Sequence, residues 1–293
     1  MKINYTVDIK NKTIKQILKE NIKISDKLLS YLKKHQLITY NNNKILDINQ
    51  LTKIGDIISI DLGFEEISDN IVPTKMNLNI LYEDENILIV NKPSGIPIHP
   101  SIEHYTDSLS NGIKYYFTSI GLKKKIRPVI RLDKNTSGIT IFAKNQYIQE
   151  CLIQQMQTKK FKKTYLAIVE GHLEKLEGII NAPIIRKENS IIERCVDKSG
   201  QNAVTLYKVL NQNSEKNYDL VECILETGRT HQIRVHFLHI GHPLLGDTLY
   251  GHSSQYINRQ ALHAYKVEFV HPVSNKLIKI IADIPTDMKV LLS

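Results

Sequence analysis

Apolar positions along the first sixty residues recur at helical and then at strand spacing. Ile14, Ile17 and Leu18 share one helix face behind Thr13, a residue type that caps helices. Leu28, Leu29 and Leu32 do the same behind Ser25. The run LITYNNNKILDI then predicts two short strands about Asn41, Asn42 and Asn43, residues that tolerate turn backbone angles. GDIISIDL, with alternating apolar positions, closes the unit. Residues 63–77, GFEEISDNIVPTKMN, are acidic, lack periodicity and contain Pro73, so they are expected to link two units.

The longer second segment mixes strands with helices. Ile80 to Tyr82 and Ile87 to Val90 flank an acidic turn and predict a hairpin. Leu109, Ile113 and Phe117 predict a helix over 107–117. GITIFAKN follows as a strand, QYIQECLIQQMQ as a helix, then TYLAIVEG, VTLYKVL and YDLVECILE as strands. THQIRVHFLHIG predicts a helix capped by Thr230 and ended by Gly241. Several strand pairs read as hairpin-linked, so an α+β fold is expected, with a mixed or antiparallel sheet.

Charge adds a partner class. Against 30 Asp+Glu stand 39 Lys+Arg, a net of +9, which suits a polyanion but is equally the mark of a Lys-rich coding bias. Residues 1–70 carry 11 Lys+Arg and 9 Asp+Glu, so +7 of that charge falls in 71–293. No apolar run reaches the roughly 20 residues of a membrane helix, and the first residues lack a secretory signal pattern, so a soluble cytoplasmic protein is expected. Cys151, Cys195 and Cys223 form no CxxC and cannot all pair, as expected of reduced thiols.

Nucleotide chemistry has no support, since neither GxxxxGK[ST] nor GxGxxG occurs. His231, His236, His239 and His242 raise a metal-dependent hydrolase reading. Their spacing follows no HExxH pattern, and a polar helix surface or an RNA contact fits better. Three segments place polar residues in apolar surroundings. In RLDKNTSGITIFAKN, Asp133 reads as a nucleophile or as a turn residue bonding its own backbone. In KKTYLAIVEGH, Tyr165 opens a strand, where a lone Tyr is usually core. In LETGRTHQIRVHFLHIGHPLLGD, Arg234 falls on the first turns of a helix, where an Arg is usually solvated.

Together these segments resemble the RluA/RluD group of pseudouridine synthases. RPVIRLDKNTSGITIFAKN is similar to the group's catalytic motif. KKTYLAIVEG, ETGRTHQIRVHFLHIGHPLLGDTLYG and RQALHAYKVEFVHP match its other motifs in order, and ILYEDENILIVNKPSGIPIHP resembles its entry strands. The resemblance covers about residues 78–275. Residues 12–62 more weakly resemble an S-four-like RNA-binding domain, with NNN in place of the usual Asn-Gly turn. The implied division is 1–70, an S-four-like RNA-binding domain with its linker, and 71–293, the catalytic domain.

The resemblance implies an isomerase that detaches uracil from ribose, rotates it and rejoins it through carbon 5, with no cofactor and no metal. Asp133 would attack the ribose or base, or remove a proton; Arg234 would pair with it, with Arg229 as the alternative; Tyr165 would stack on the uracil and assist proton removal from carbon 5. Arg131 would fill the space the flipped base leaves, and Leu262 would wall the pocket. Ile130 stands where the group often has His, a departure expected to bear on how the nucleotide is held. The implied substrate is large-subunit ribosomal RNA, with transfer RNA second, and the implied state is a monomer. The rival from another class is a non-catalytic RNA-binding or ribosome-assembly factor on the same scaffold, which should have lost Asp133, Tyr165 or Arg234.

Overall fold

In the computed structural model, which describes residues 1–66, 70–158 and 160–292, two main sheets follow one another along the chain, with a small two-stranded sheet, Ile184–Arg186 with Arg194–Val196, beside them. The first has four antiparallel strands in the order Lys2–Thr6, Ile57–Asp61, Ile38–Tyr40, Asn43–Lys44. Asn41 and Asn42 turn the hairpin at φ 49° and 64°, the left-handed region that Asn tolerates. Thr13 caps the first helix through a reciprocal box with Gln16. That helix, Ile14–Gln16, runs on into a wider turn over Ile17–Asn21. Ser25 caps Asp26–Lys34 through the N–H of Leu28. Ile14, Leu18, Leu28, Leu32, Ile58 and Ile60 fill the space between helices and sheet, each at most 1% exposed.

The second sheet has ten strands. Its main path runs Glu177–Asn181, Val204–Asn213, Tyr218–Leu225, Lys162–Glu170, Leu262–Val270, Ser137–Ala143, Ile87–Lys92, Ile80–Glu83. Leu277–Ile281 and Arg127–Pro128 pair from the side. Of these pairings only Leu262–Val270 with Ser137–Ala143 is parallel, so the sheet is mixed and mostly antiparallel. Ser137–Ala143 is buried along its whole length, which explains its unbroken apolar run. Gly138 sits at the parallel junction with φ 112°, and a Cβ there would lie 2.3 Å from the Ala264 carbonyl oxygen.

Two expectations shift. The helix over 107–117 begins later, at Leu109–Ser119, because Ser108 takes the cap with Asn111 as reciprocal partner. The helix carrying Arg234 is Gln232–His239, and its cap is His231 at φ 58°, not Thr230, with no side-chain capping bond. Gly241 follows at φ 85°, consistent with a helix stop.

The described parts of the acidic connection, residues 63–66 and 70–77, are docked, and 67–69 lie outside the described residues. The Glu66 N–H donates to the Lys123 carbonyl and the Thr74 N–H to that of Asn111. The Asn111 side chain donates to the Val72 carbonyl (2.8 Å). Arg127 clasps Glu66 with both terminal nitrogens, and both side chains are about nine-tenths buried. Lys124 Nζ donates to the Leu62 and Phe64 carbonyls. The apolar residues of the two units form one continuous cluster, from Ile58 and Leu62 to Ile87, Ile139 and Phe269.

Candidate active site

Asp133 lies in the turn before the Ser137–Ala143 strand, closed by the Thr136 N–H on the Asp133 carbonyl (3.1 Å). Two buried cations hold this turn from beneath. Lys92, with no exposed surface, donates to the carbonyls of Pro93 (2.9 Å), Ile96 (2.9 Å) and Lys134 (2.8 Å). Arg259 donates to the Asn135 carbonyl (3.2 Å) and is itself held by Asp287 at 2.7 and 2.9 Å. Burial pushes the Lys92 ammonium down to about 7, against the pull of the Asp133 charge. Three carbonyl acceptors also favour the protonated form, since a neutral amine has only two N–H donors.

The carboxylate faces the Gln232–His239 helix. Arg234 Nη1 stands 3.3 Å from Asp133 Oδ2, and His231 Nε2 stands 3.7 Å from Oδ1. Arg234 is held in a fork by Asp247, Nε to Oδ2 and Nη2 to Oδ1, each at 2.7 Å. Burial opposes the guanidinium charge, but the bonds to Asp247 and the charges of Asp247 and Asp133 outweigh it and raise its pKa above the ordinary Arg value. The Tyr250 ring lies over Arg234 at 4.9 Å, and its hydroxyl meets His231 Nδ1 at 2.8 Å. Burial pushes the His231 pKa down, with the Asp133 charge pulling the other way. A neutral His231 presenting Nε2–H to Asp133 can accept the Tyr250 O–H at Nδ1.

One cleft of about 60 Å³ is lined by all six residues expected from the sequence: Arg131, Asp133, Tyr165, Arg229, Arg234 and Leu262. Tyr165 and Leu262 come from adjacent strands and are 6% and 4% exposed. Burial and the nearby Asp133 charge raise the Tyr165 pKa, so its phenol stays protonated at neutral pH. Arg131 is exposed at the rim. Arg229 also lies at the rim, its Nε donating to the Asn202 carbonyl (3.0 Å), and the arginine that pairs with Asp133 is Arg234. Ile130 points the other way. It is 6% exposed in the apolar cluster and does not line the cleft, so the expected effect on nucleotide holding has no contact to act through.

The four histidines disperse. His236 is buried between the Thr205 hydroxyl and the Ala182 carbonyl, His242 faces the Glu170 carbonyl, and His239 lies on the surface. Among the described residues no three His, Cys, Asp or Glu side chains converge on a point that could hold a metal. His231, Asp247, Tyr250 and Lys92 are the members of the site that residue spacing does not reveal. Asp247 and Tyr250 lie in the GDTLYG run beyond the helix, and only the folded chain brings them to Arg234.

Fold and site together define an enzyme built around one carboxylate between two cationic or proton-bearing groups at the floor of a cleft. Residues 86–239 match the family model described as RNA pseudouridylate synthase. "Uncharacterized RNA pseudouridine synthase YhcT" of Bacillus subtilis (strain 168) is 45% identical over 273 residues, 93% of this chain and 90% of that protein. "Ribosomal large subunit pseudouridine synthase D" of Buchnera aphidicola subsp. Schizaphis graminum is 38% identical over 253 residues, 81% of this chain and 79% of that one. The solved structure "Human RNA Pseudouridylate Synthase Domain Containing 1" superposes with a TM-score of 0.58 at 26% identity, covering 71% of this chain and 83% of its own. The chain belongs to the RNA pseudouridylate synthase family, within its RluA/RluD group.

Proposed function

We propose that this chain isomerises uridine to pseudouridine in large-subunit ribosomal RNA, with Asp133 as the reacting carboxylate. One observation carries the assignment of residues: Asp133 is the carboxylate that opens on the cleft, while the second carboxylate, Asp247, is 1% exposed and committed to holding Arg234. The ribosomal substrate is supported by relatives that bear the name large-subunit synthase.

In this reading the target uridine leaves its stack at a cost of a few kcal/mol, least in loops and unpaired regions. Arg131, whose flat guanidinium can stack, takes the vacated space from the rim. The uracil enters between the Tyr165 ring and Leu262. Asp133, facing the Arg234 guanidinium at 3.3 Å, attacks the ribose or base, or takes a proton from it. Tyr165 keeps its phenolic proton and contributes its ring face. Residues 1–70 act as an RNA-binding unit that adds phosphate contacts to those of the catalytic unit, 71–293.

The test is tritium release from unmodified ribosomal RNA carrying tritium at carbon 5 of uridine, comparing the wild type with Asp133→Asn. Release by the wild type and none by the variant, with RNA affinity kept, is expected. Equal release by the variant removes Asp133 from the chemistry. Release from transfer RNA alone moves the substrate.

A further inference from the structure

The active cleft is too small to account for the whole RNA-facing surface, and a second, larger cleft adjoins it. It measures about 840 Å³ and lies between the Asp26–Lys34 helix of the first unit and the segment 125–131 of the second. Its cations are Lys27, Lys34, Lys125, Arg127 and Arg131. Of its two carboxylates, Glu66 is paired with Arg127, and Glu150 accepts at Oε1 from Ser25 Oγ (2.6 Å) and Gln146 Nε2 (2.8 Å) while its Oε2 is buried without a partner. Lys27, Lys34, Lys125 and Arg131 are all exposed and, among the described residues, make no ion pair. Five cations therefore line the cleft against two carboxylates, and four of the five are exposed without an ion pair, a balance that fits a polyanion.

Two further features narrow the occupant. Tyr31, 37% exposed, stacks obliquely on Phe64 with ring centroids 4.7 Å apart, and both line the cleft beside His99. Aromatic faces among cations suit unpaired bases over a backbone, because every base offers a π-face. Arg131 lines this cleft and the active cleft alike, so a strand leaving the active site beside Arg131 enters the second cleft directly. The two units share an apolar cluster, so the cleft walls are held in place.

We propose that this inter-unit cleft binds the single-stranded RNA flanking the target uridine, its phosphates on Lys27, Lys34 and Lys125 and a base against Tyr31 and Phe64. This deepens the proposed function and rests on it, since it supplies the strand that the active cleft modifies.

The test uses the full chain with Lys27, Lys34 and Lys125 all changed to Gln, a set that leaves the Asp133 cleft untouched. Binding of unmodified ribosomal RNA is measured across a salt series, alongside tritium release at saturating RNA. Expected are an affinity loss of about tenfold at moderate salt and a log–log salt slope shallower by about 2, three contacts at ~0.7 each for single strands. KM should rise with kcat kept, and 4-thiouridine beside the target should crosslink to the Tyr31 or Phe64 peptide in the wild type. Wild-type affinity and slope in the variant, with the wild type converting uridine, overturn the cleft and leave the reaction standing. Binding loss and crosslinking without conversion by either protein uphold the cleft and overturn the reaction. Binding loss with no crosslink to either peptide overturns the strand path, with the lysines serving a duplex elsewhere.

Discussion

Replacing Asp247 by Asn tests whether the site is organised from its buried side. The substitution keeps shape and one acceptor oxygen but removes the charge facing Arg234, which is 6% exposed. Arg234 then keeps only the 3.3 Å contact to Asp133 for its full charge. Breaking a buried ion pair from one side costs 3–5 kcal/mol, because the remaining charge stays out of water. The retained acceptor places Asp247→Asn at the low end, about 3 kcal/mol. With an m-value near 3 kcal/mol/M, the urea midpoint falls by about 1 M. Arg234→Met alone strands Asp247 in the same way, whereas the double variant buries no unpaired charge and should recover about 2 kcal/mol over the sum of the singles. Turnover should be lost in the two variants that lack the Arg234 guanidinium, and should fall in Asp247→Asn, where the guanidinium beside Asp133 is no longer held in its fork. Additivity of the two substitutions within 0.5 kcal/mol would refute the coupling.

Other outcomes follow from named groups. His263 is fully buried, and burial pushes its pKa to about 4. Between about 4 and the unfolded value near 6.5 the unfolded chain binds more protons, so about 3 kcal/mol of stability is present above pH 6.5 and lost on acidification to 4. Denaturation midpoints over that range should flatten in His263→Gln. Lys92 has the same sign in a different window: its folded value of about 7 lies below the unfolded one near 10.4, so stability rises as pH climbs between them. Lys92→Met should abolish that rise and lower turnover, read from matched pH series. Gly138→Ala drives a Cβ into the Ala264 backbone, and a loss of about 3 kcal/mol or more is expected on thermal melting; wild-type melting would mean the strands can part there.

The sequence marks elements whose signal is local and fails where position depends on distant chain. The caps at Thr13 and Ser25 and the Asn hairpin work within four residues and stand as expected. The strand Lys2–Thr6 does alternate, with Ile3 and Tyr5 apolar, but it is short, and its place at the sheet edge is set by pairing with Ile57–Asp61, about fifty residues on. Thr230 is the better cap by residue type, yet His231 takes the position because its side chain is already placed between Tyr250 and Asp133. Six cleft residues were legible because they sit in long motifs that resemble a known group. Lys92 and Asp247 fall in such motifs too, but their roles were not legible, since each is a lone charge in an apolar run until folding supplies its partners.

Those unread charges explain how a turn composed of DKNTSG becomes a fixed site. Asp, Asn, Ser and Gly favour turns but do not hold one conformation, and surface turns of this kind are ordinarily mobile. Here the carbonyls of Lys134 and Asn135 are each held by a buried cation, Lys92 and Arg259, so two successive peptide groups just before the next strand are tied in place. Asp287 fixes Arg259 as Asp247 fixes Arg234, which gives two carboxylate-anchored arginines, one under the Asp133 backbone and one beside its side chain. Lys92, Arg259, Asp287 and Asp247 need not touch RNA. Burial of Lys92, Arg259 and Asp247 costs solvation, and the pairing confines Asp133 to one geometry, which in the proposed reaction keeps the carboxylate in place before substrate arrives.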